Sequence, residues 1–172
     1  MVHELSRGDV EDIYQIRMLL EPLATAQAAC RASKETVLRA VRLLSAMESE
    51  TDAKQWAGYN SSFHSVIDAA GCNAQLLAIL ENLRELSDRY VTHSIRSTPD
   101  RARQANAEHE EIMRAIIARD PEAAADAMFR HLDGTLSALT IRELGLAARP
   151  VPVGRRPGTR GRRPGAAALR GQ

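Results

Sequence analysis

Apolar side chains recur at steps of three and four residues through most of this chain, which constrains the fold more than any other feature. Ile13, Ile16, Leu20 and Leu23 form the first such stripe, and this spacing marks one face of an α-helix. Aromatic residues make up only 3% of the chain, whereas β-sheets are enriched in aromatic and β-branched side chains. The sequence therefore predicts an all-α fold.

Start and stop signals divide the chain into about six helices. Pro22 predicts a kink or a restart within the first helix, and Ser33 is the predicted N-cap of the second. The third helix runs from about Lys54 to Ala70 and stops at Gly71. Two further helix starts are predicted at the cap and proline pairs Thr98–Pro99 and Asp120–Pro121. Short connections between such helices imply an antiparallel bundle.

The charged residues are unevenly distributed. The formal net charge is +1, but residues 149–172 hold seven of the 23 basic residues and no acidic residue. The remaining 16 basic residues face all 22 acidic ones, which gives residues 1–148 a formal charge of −6. The tail is rich in Gly, Pro and Arg, so we predict a helical domain over 1–148 and a disordered tail over 149–172. The tail is either a solvated terminus or an electrostatic contact for nucleic acid or another anionic surface.

Location and redox state follow from what the sequence lacks. No apolar run reaches the length of a membrane span, and the first residues lack the basic-then-apolar order of a signal peptide. Cys30 and Cys72 form neither a disulfide framework nor a CxxC pair. We therefore expect a cytoplasmic protein with no membrane partner.

Three of the five histidines lie at positions that helical spacing turns toward the bundle interior. Asn60 and His64 are four residues apart and share a helix face. His109 and His131 each have apolar neighbours at helical spacing. A shared metal would satisfy three imidazoles that are costly to bury unpaired, since neutral imidazole binds zinc, nickel, copper and iron. Separate histidines, each hydrogen-bonded at a helix surface, are the alternative.

Familiar metalloenzyme patterns do not fit these histidines. The run "HEEIM" over 109–113 places Met113 where the zinc-protease motif HExxH requires histidine. No Glu-x-x-His pair of the di-iron type occurs, and neither does a G-x-S-x-G nucleophile elbow. An enzyme hypothesis is left with a metal and no evident general base.

Four stretches of the chain together resemble the FCD domain, the C-terminal effector-binding domain of FadR-type GntR transcription regulators. They lie in matching order within residues 5–146: "DVEDIYQIRMLLEPLATAQAA" (9–29), "NSSFHSVIDAAGCNAQLL" (60–77), "EHEEIMRAIIARDPEAAADAM" (108–128) and "HLDGTL" (131–136). The resemblance implies a helical bundle with a central cavity for a small effector, often an organic acid. It also implies a metal at the cavity floor in many members.

The resemblance assigns the metal ligands as Asn60, His64, His109 and His131, and the metal as a divalent transition ion, zinc or nickel first. Metal-binding members usually have Asp at position 60. An amide oxygen can coordinate but brings no charge, so the ion would be less neutralised. We expect a weaker site, or one that relies more on an anionic effector.

The expected effector is a small carboxylate, with Arg17, Glu21 and Arg89 as candidate effector-binding residues. Arg17 lies four residues before Glu21, and an ion pair between them is one interpretation. The other is a guanidinium that binds a carboxylate in bidentate fashion. The "R-x-x-L-E" pattern of the family favours the second. Arg89 is the weaker candidate.

The resemblance also bears on partners. Family members carry a winged helix-turn-helix before this domain and commonly form homodimers. The chain begins where that module would end, so we expect no recognition helix of its own and contact with DNA only through such a module. We predict a ligand-sensing domain that is not an enzyme and forms a homodimer. The alternatives are a metal-dependent enzyme on a helical bundle and a stand-alone dimerisation partner of full-length regulators.

Overall fold

The computed structural model describes residues 6–98 and 100–144, and within these ranges every regular element is an α-helix. The helices are α1 Arg7–Arg31, α2 Lys34–Ser49, α3 Ala53–Gly71, α4 Ala74–Ser97, α5 Arg101–Ile117 and α6 Pro121–Leu144. The prediction of an all-α fold with about six helices is confirmed. None of the described helices is long and apolar enough to span a membrane.

Short polar side chains begin the helices where the sequence predicted caps. The Ser33 Oγ accepts a hydrogen bond from the backbone N–H of Thr36 at 3.1 Å. The Asp120 carboxylate accepts one from the N–H of Ala123 at 3.0 Å, directly before Pro121 opens α6. Both caps satisfy backbone N–H groups that have no acceptor within their own helix.

One predicted helix start is wrong, and one of the two alternatives at Pro22 is excluded. The first helix does not restart at Pro22, because α1 continues through this residue to Arg31. Thr98 does not cap α5. It ends α4, and α5 begins at Arg101 after Asp100. Pro99 lies outside the described residues, as do residues 145–172, so the disordered tail over 149–172 and the domain boundary at 148 stay predictions.

Helix α1 packs against α3 and α6 and presents an unexpected face to them. Ile13 is buried, but Ile16 and Leu23 of the predicted stripe are 44% and 51% exposed. The inward face of α1 carries Val10, Ile13, Tyr14, Arg17, Glu21, Ala24, Thr25, Ala28 and Ala29. Apolar spacing therefore identified the wrong face, because α1 turns charged side chains into the bundle.

Gly71 ends α3 at a close crossing with α1. A Cβ atom at this position would lie 1.9 Å from the carbonyl oxygen of Ala24. The contact is with backbone, which cannot rotate away, so α3 can approach α1 this closely only with glycine at residue 71.

We expect Gly71→Ala to destabilise the protein by at least about 1–3 kcal/mol, the range for overpacking a tight site. Gly58 is the matched control on the same helix, because a Cβ there meets nothing within 4 Å. Gly58→Ala should stabilise by roughly 0.5–1 kcal/mol, since it removes backbone freedom from the unfolded chain. Urea unfolding of both variants measures the two effects, and equal midpoints would contradict the close crossing.

Candidate functional site

Three histidines from three different helices converge inside the bundle. His64 comes from α3, His109 from α5 and His131 from α6, and all three are buried. One ring nitrogen of each lies within 4.8 Å of the corresponding nitrogens of the other two. The ring centroids are 4.5 Å apart for His109 and His131, and 5.2 to 5.3 Å apart for the pairs with His64. The structure thus brings together the three imidazoles that helical spacing singled out.

Aromatic side chains surround this histidine cluster. The Phe63 ring lies 4.7 Å from the His109 ring and 5.5 Å from the His64 ring, measured between centroids. The Trp56 ring stacks on His109 at 6.2 Å. These rings shield the cluster from water on one side, so the imidazole nitrogens depend on a partner inside the bundle.

The cluster leaves several buried polar atoms unsatisfied. Both ring nitrogens of His64 and of His109 have no hydrogen-bond partner among the described residues, and neither does the Asn60 Oδ1. Each such group costs about 1–3 kcal/mol when buried unpaired. Imidazole nitrogens and an amide oxygen are a donor set that suits zinc or nickel. The residues therefore fit a divalent metal.

Burial also sets the protonation state of the three histidines. It lowers the pKa of His64 and of His109 well below the ordinary value, and the charges of nearby side chains, His131 foremost, act in the same direction. The pKa of His131 is lowered too, although Glu108 opposes the effect of burial. All three imidazoles are then neutral at neutral pH, which is the form that binds metal.

His131 differs from the other two because a carboxylate contacts it. Its Nδ1 lies 2.7 Å from the Glu108 Oε2. Arg101 donates to both oxygens of Glu108 at 3.0 and 3.1 Å and to the Thr135 Oγ1 at 2.6 Å. Burial raises the pKa of Glu108, but the hydrogen bonds from His131 and Arg101 outweigh it and hold that pKa below its ordinary value.

A cluster of buried charged side chains lies next to His64. The Arg17 Nε donates to the Glu21 Oε1 at 2.6 Å, and Arg17 also donates to the Ser87 Oγ at 3.0 Å. Arg84 pairs with Asp68 directly and lies 3.9 Å from the Glu21 Oε2. All five side chains are buried, so each charge depends on its partners for stabilisation.

The two carboxylates of this cluster differ in their pKa. Burial raises the pKa of Glu21, but Arg17 and Arg84 outweigh it, so that pKa is lowered overall. Burial and the nearby Glu21 charge raise the pKa of Asp68 to about 7, against the opposing effect of Arg84. The Glu21 Oε2 also lies 3.6 Å from the His64 Nδ1, which connects the ionic cluster to the histidines.

A narrow cavity of about 20 Å³ adjoins the histidines. Its polar lining residues are Tyr14, Arg17, Asn60, His64, Ser94, Arg101, His131 and Thr135. The buried Tyr14 Oη and Ser94 Oγ have no hydrogen-bond partner in the described part of the chain. The volume admits about one water molecule, so this conformation is tighter than the ligand cavity expected from the sequence.

The three predicted effector-binding residues lie in different places. Arg17 lines the cavity and forms the predicted ion pair with Glu21, and its binding of an effector carboxylate stays a prediction. Glu21 does not line the cavity, and its carboxylate accepts a hydrogen bond from Arg17. Arg89 is exposed, beside the Tyr90 hydroxyl, and the structure does not bring it to the cavity. Arg89 follows the buried Ser87 by two residues and therefore lies on the opposite side of α4.

Sequence reasoning missed four polar residues of the cavity, namely Tyr14, Ser94, Arg101 and Thr135. A signal existed for Arg101, which lies four residues before the buried Ala105 and eight before His109. Those intervals place it on the inward face of α5. A charged residue in line with a buried stripe therefore marks a candidate site in the same way that histidine does.

Comparison with known proteins identifies the family of this chain. The family model named FCD domain matches residues 12–134. The chain belongs to the FCD family. A relative named HTH-type transcriptional repressor GlaR, from Escherichia coli strain K12, is 30% identical over 142 residues. That match covers 76% of this chain and 64% of the relative, so the chain spans less than two thirds of that repressor's length.

Solved structures agree on the fold of this FCD domain. A GntR-family transcriptional regulator from Pseudomonas syringae pv. tomato matches with a TM-score of 0.69 and 24% identity, over 79% of this chain and 57% of that one. E. coli McbR/YncC matches with a TM-score of 0.70 and 17% identity, over 83% and 69%. The family resemblance is confirmed. The named relatives of this FCD domain are transcription regulators and not enzymes.

Proposed function

We propose that this FCD domain senses a small carboxylate through a divalent metal held by Asn60, His64, His109 and His131. The supporting observation is the buried cluster of imidazole nitrogens, most of them without a partner among the described residues, beside a cavity with two arginines. A bound metal would supply a Lewis-acidic positive charge for the carboxylate. Zinc and nickel are the ions we expect first, since both suit imidazole ligands.

Several side chains around the cavity would contact the anion. Arg17 and Arg101 line the cavity from α1 and α5 and present guanidinium groups suited to a carboxylate. Tyr14 and Ser94 contribute hydroxyl groups that have no other partner in the described structure. Asn60 adds no negative charge, so the effector carboxylate would complete the neutralisation of the metal.

Because the cavity is small, binding of the effector would change the packing of the helices around it. A carboxylate larger than a water molecule can enter only if the side chains or the helices that line the cavity move apart. The end of α4, which carries Val91, Ser94 and Ile95, forms one wall. In a regulator that joins this domain to a winged helix-turn-helix, movement of α4 would change the spacing of two DNA-binding modules.

A thermal-shift screen of small organic acids in the presence of zinc tests the effector. We expect carboxylates to raise the Tm increasingly with concentration, as linkage requires. Tyr14→Phe should weaken that shift without destabilising the ligand-free protein, because the hydroxyl it removes is buried and unpaired. Tyr59→Phe is the matched control, since Tyr59 is only half-buried and lies outside the cavity lining. Stabilisation by neutral or cationic compounds alone would contradict an anion site.

We also propose that the domain forms a homodimer through the outer faces of α1 and α4. Exposed apolar side chains on these helices are Ile16, Leu19, Leu23, Ile79 and Leu86. The hydrogen bond between Arg17 and Ser87 places their chain neighbours Ile16 and Leu86 near one another. Exposed apolar side chains on two neighbouring helices are typical of an interface between copies of a protein.

Leu19, which is 77% exposed, provides the test of the homodimer. We expect Leu19→Glu to convert a dimer into a monomer in sedimentation velocity, because it places a charge in an apolar interface. Ile117→Glu makes the same kind of change at an exposed apolar residue on α5 and should leave the dimer intact. A dimer that survives Leu19→Glu would exclude this face.

A further inference from the structure

We propose that Glu108 is a positioning residue that fixes the ring of His131 for metal binding and connects that histidine to the cavity arginine Arg101. This inference rests on the metal site proposed above. It concerns a residue that does not itself bind the metal, and it is carried by the contacts of Glu108 with its two neighbours.

The first contact determines which nitrogen of His131 remains free. An ionised carboxylate only accepts hydrogen bonds, and the Glu108 Oε2 lies 2.7 Å from the His131 Nδ1. The proton of the neutral ring must therefore be on Nδ1, which leaves the Nε2 lone pair for a metal. A carboxylate behind a ligating histidine fixes ring orientation in this way and raises the basicity of the ligand.

The second contact fixes the carboxylate itself. Arg101 binds both oxygens of Glu108, and the same guanidinium donates to the Thr135 Oγ1. Thr135 lies on α6 one turn after His131 and donates to the backbone carbonyl of His131 at 2.9 Å. The four groups form a closed set of hydrogen bonds between α5 and α6, so Glu108 has one defined position relative to the ring.

The closed set also reaches the cavity, because Arg101, His131 and Thr135 all line it. An anion that accepts from Arg101 competes with Glu108 for the same N–H groups. Loosening that pair would loosen the carboxylate that orients His131. Anion binding at Arg101 and the orientation of His131 are therefore coupled through Glu108.

Zinc affinity of Glu108→Gln, measured by competition with a chromophoric chelator, tests the positioning role. The glutamine keeps the shape of the side chain and loses its charge, and we expect zinc to bind about 10- to 100-fold more weakly. Glu110→Gln is the matched control, because Glu110 is exposed on the same helix and the change removes the same charge. Affinity of Glu108→Gln equal to that of the wild type would overturn the proposal.

A second readout needs no metal and separates this inference from the proposed function. Long-range ¹H–¹⁵N NMR correlations of the histidine rings in the zinc-free protein report which nitrogen carries the proton. We expect the Nδ1–H form for His131 in the wild type and a loss of that preference in Glu108→Gln. An Nε2–H form of His131 in the wild type would overturn the positioning role, whereas a wild type that binds no zinc but shows Nδ1–H would refute the metal site alone.

Discussion

Replacing His109 with methionine is expected to abolish stoichiometric zinc binding and at the same time to stabilise the metal-free protein. Both ring nitrogens of His109 are buried with no hydrogen-bond partner among the residues described. Methionine fills irregular space in a core and brings no strong polar group. Removing the unpaired group should therefore stabilise the metal-free state by about 1–3 kcal/mol.

Two measurements check this prediction. Elemental analysis after purification without chelator gives the zinc content, and urea unfolding with and without zinc gives the stability. His93→Met is the control, because His93 is exposed on α4, and it should retain both the zinc and the wild-type stability. A His109→Met protein that keeps its zinc, or that is less stable than the metal-free wild type, would contradict the account.

Arg84→Met is expected to destabilise the protein by about 3–5 kcal/mol, the cost of breaking a buried ion pair from one side. Arg84 is 2% exposed and is the direct partner of Asp68, with the Glu21 carboxylate 3.9 Å away. Without Arg84, two buried carboxylates share one guanidinium, that of Arg17. Urea unfolding above pH 7, where the Asp68 carboxyl is ionised in the wild type, measures the loss.

The double variant Arg84→Met, Asp68→Leu distinguishes lost charge balance from lost packing. Removing both members of a buried pair costs far less than removing one, so we expect the double variant to regain most of the stability. Arg103→Met is the surface control, since Arg103 pairs with Asp100 while 82% exposed, and exposed pairs contribute about 0–1 kcal/mol. Strictly additive losses in the double variant would show that Arg84 and Asp68 do not act as a pair.

The helices were predictable from sequence because their signals are local. Ser33 and Asp120 cap the residues that follow them within three positions, so the cap and the helix start are read from the same short segment. The prediction at Thr98 was wrong because α4 continues to Ser97 and Thr98 is the C-cap of that helix. Apolar spacing failed on α1 because Ile16 and Leu23 mark an outward face.

The site was only partly predictable, for a related reason. The three histidines stood out because an imidazole among apolar neighbours is unusual, and their helical spacing could be read directly. Glu108 did not stand out, and the spacing of Arg101 predicted only its inward position. The roles of both residues depend on contacts with Thr135 and His131 on another helix. The exposure of Arg89 depends on how α4 is rotated against α1, which only tertiary packing determines.

An anomalous difference map recorded at the zinc absorption edge, from crystals of the protein grown with equimolar zinc, tests the proposed metal site most directly. The account predicts one strong peak enclosed by His64, His109 and His131, with Asn60 facing it. Zinc found only at exposed side chains such as His93, with no peak among the three buried histidines, would contradict it.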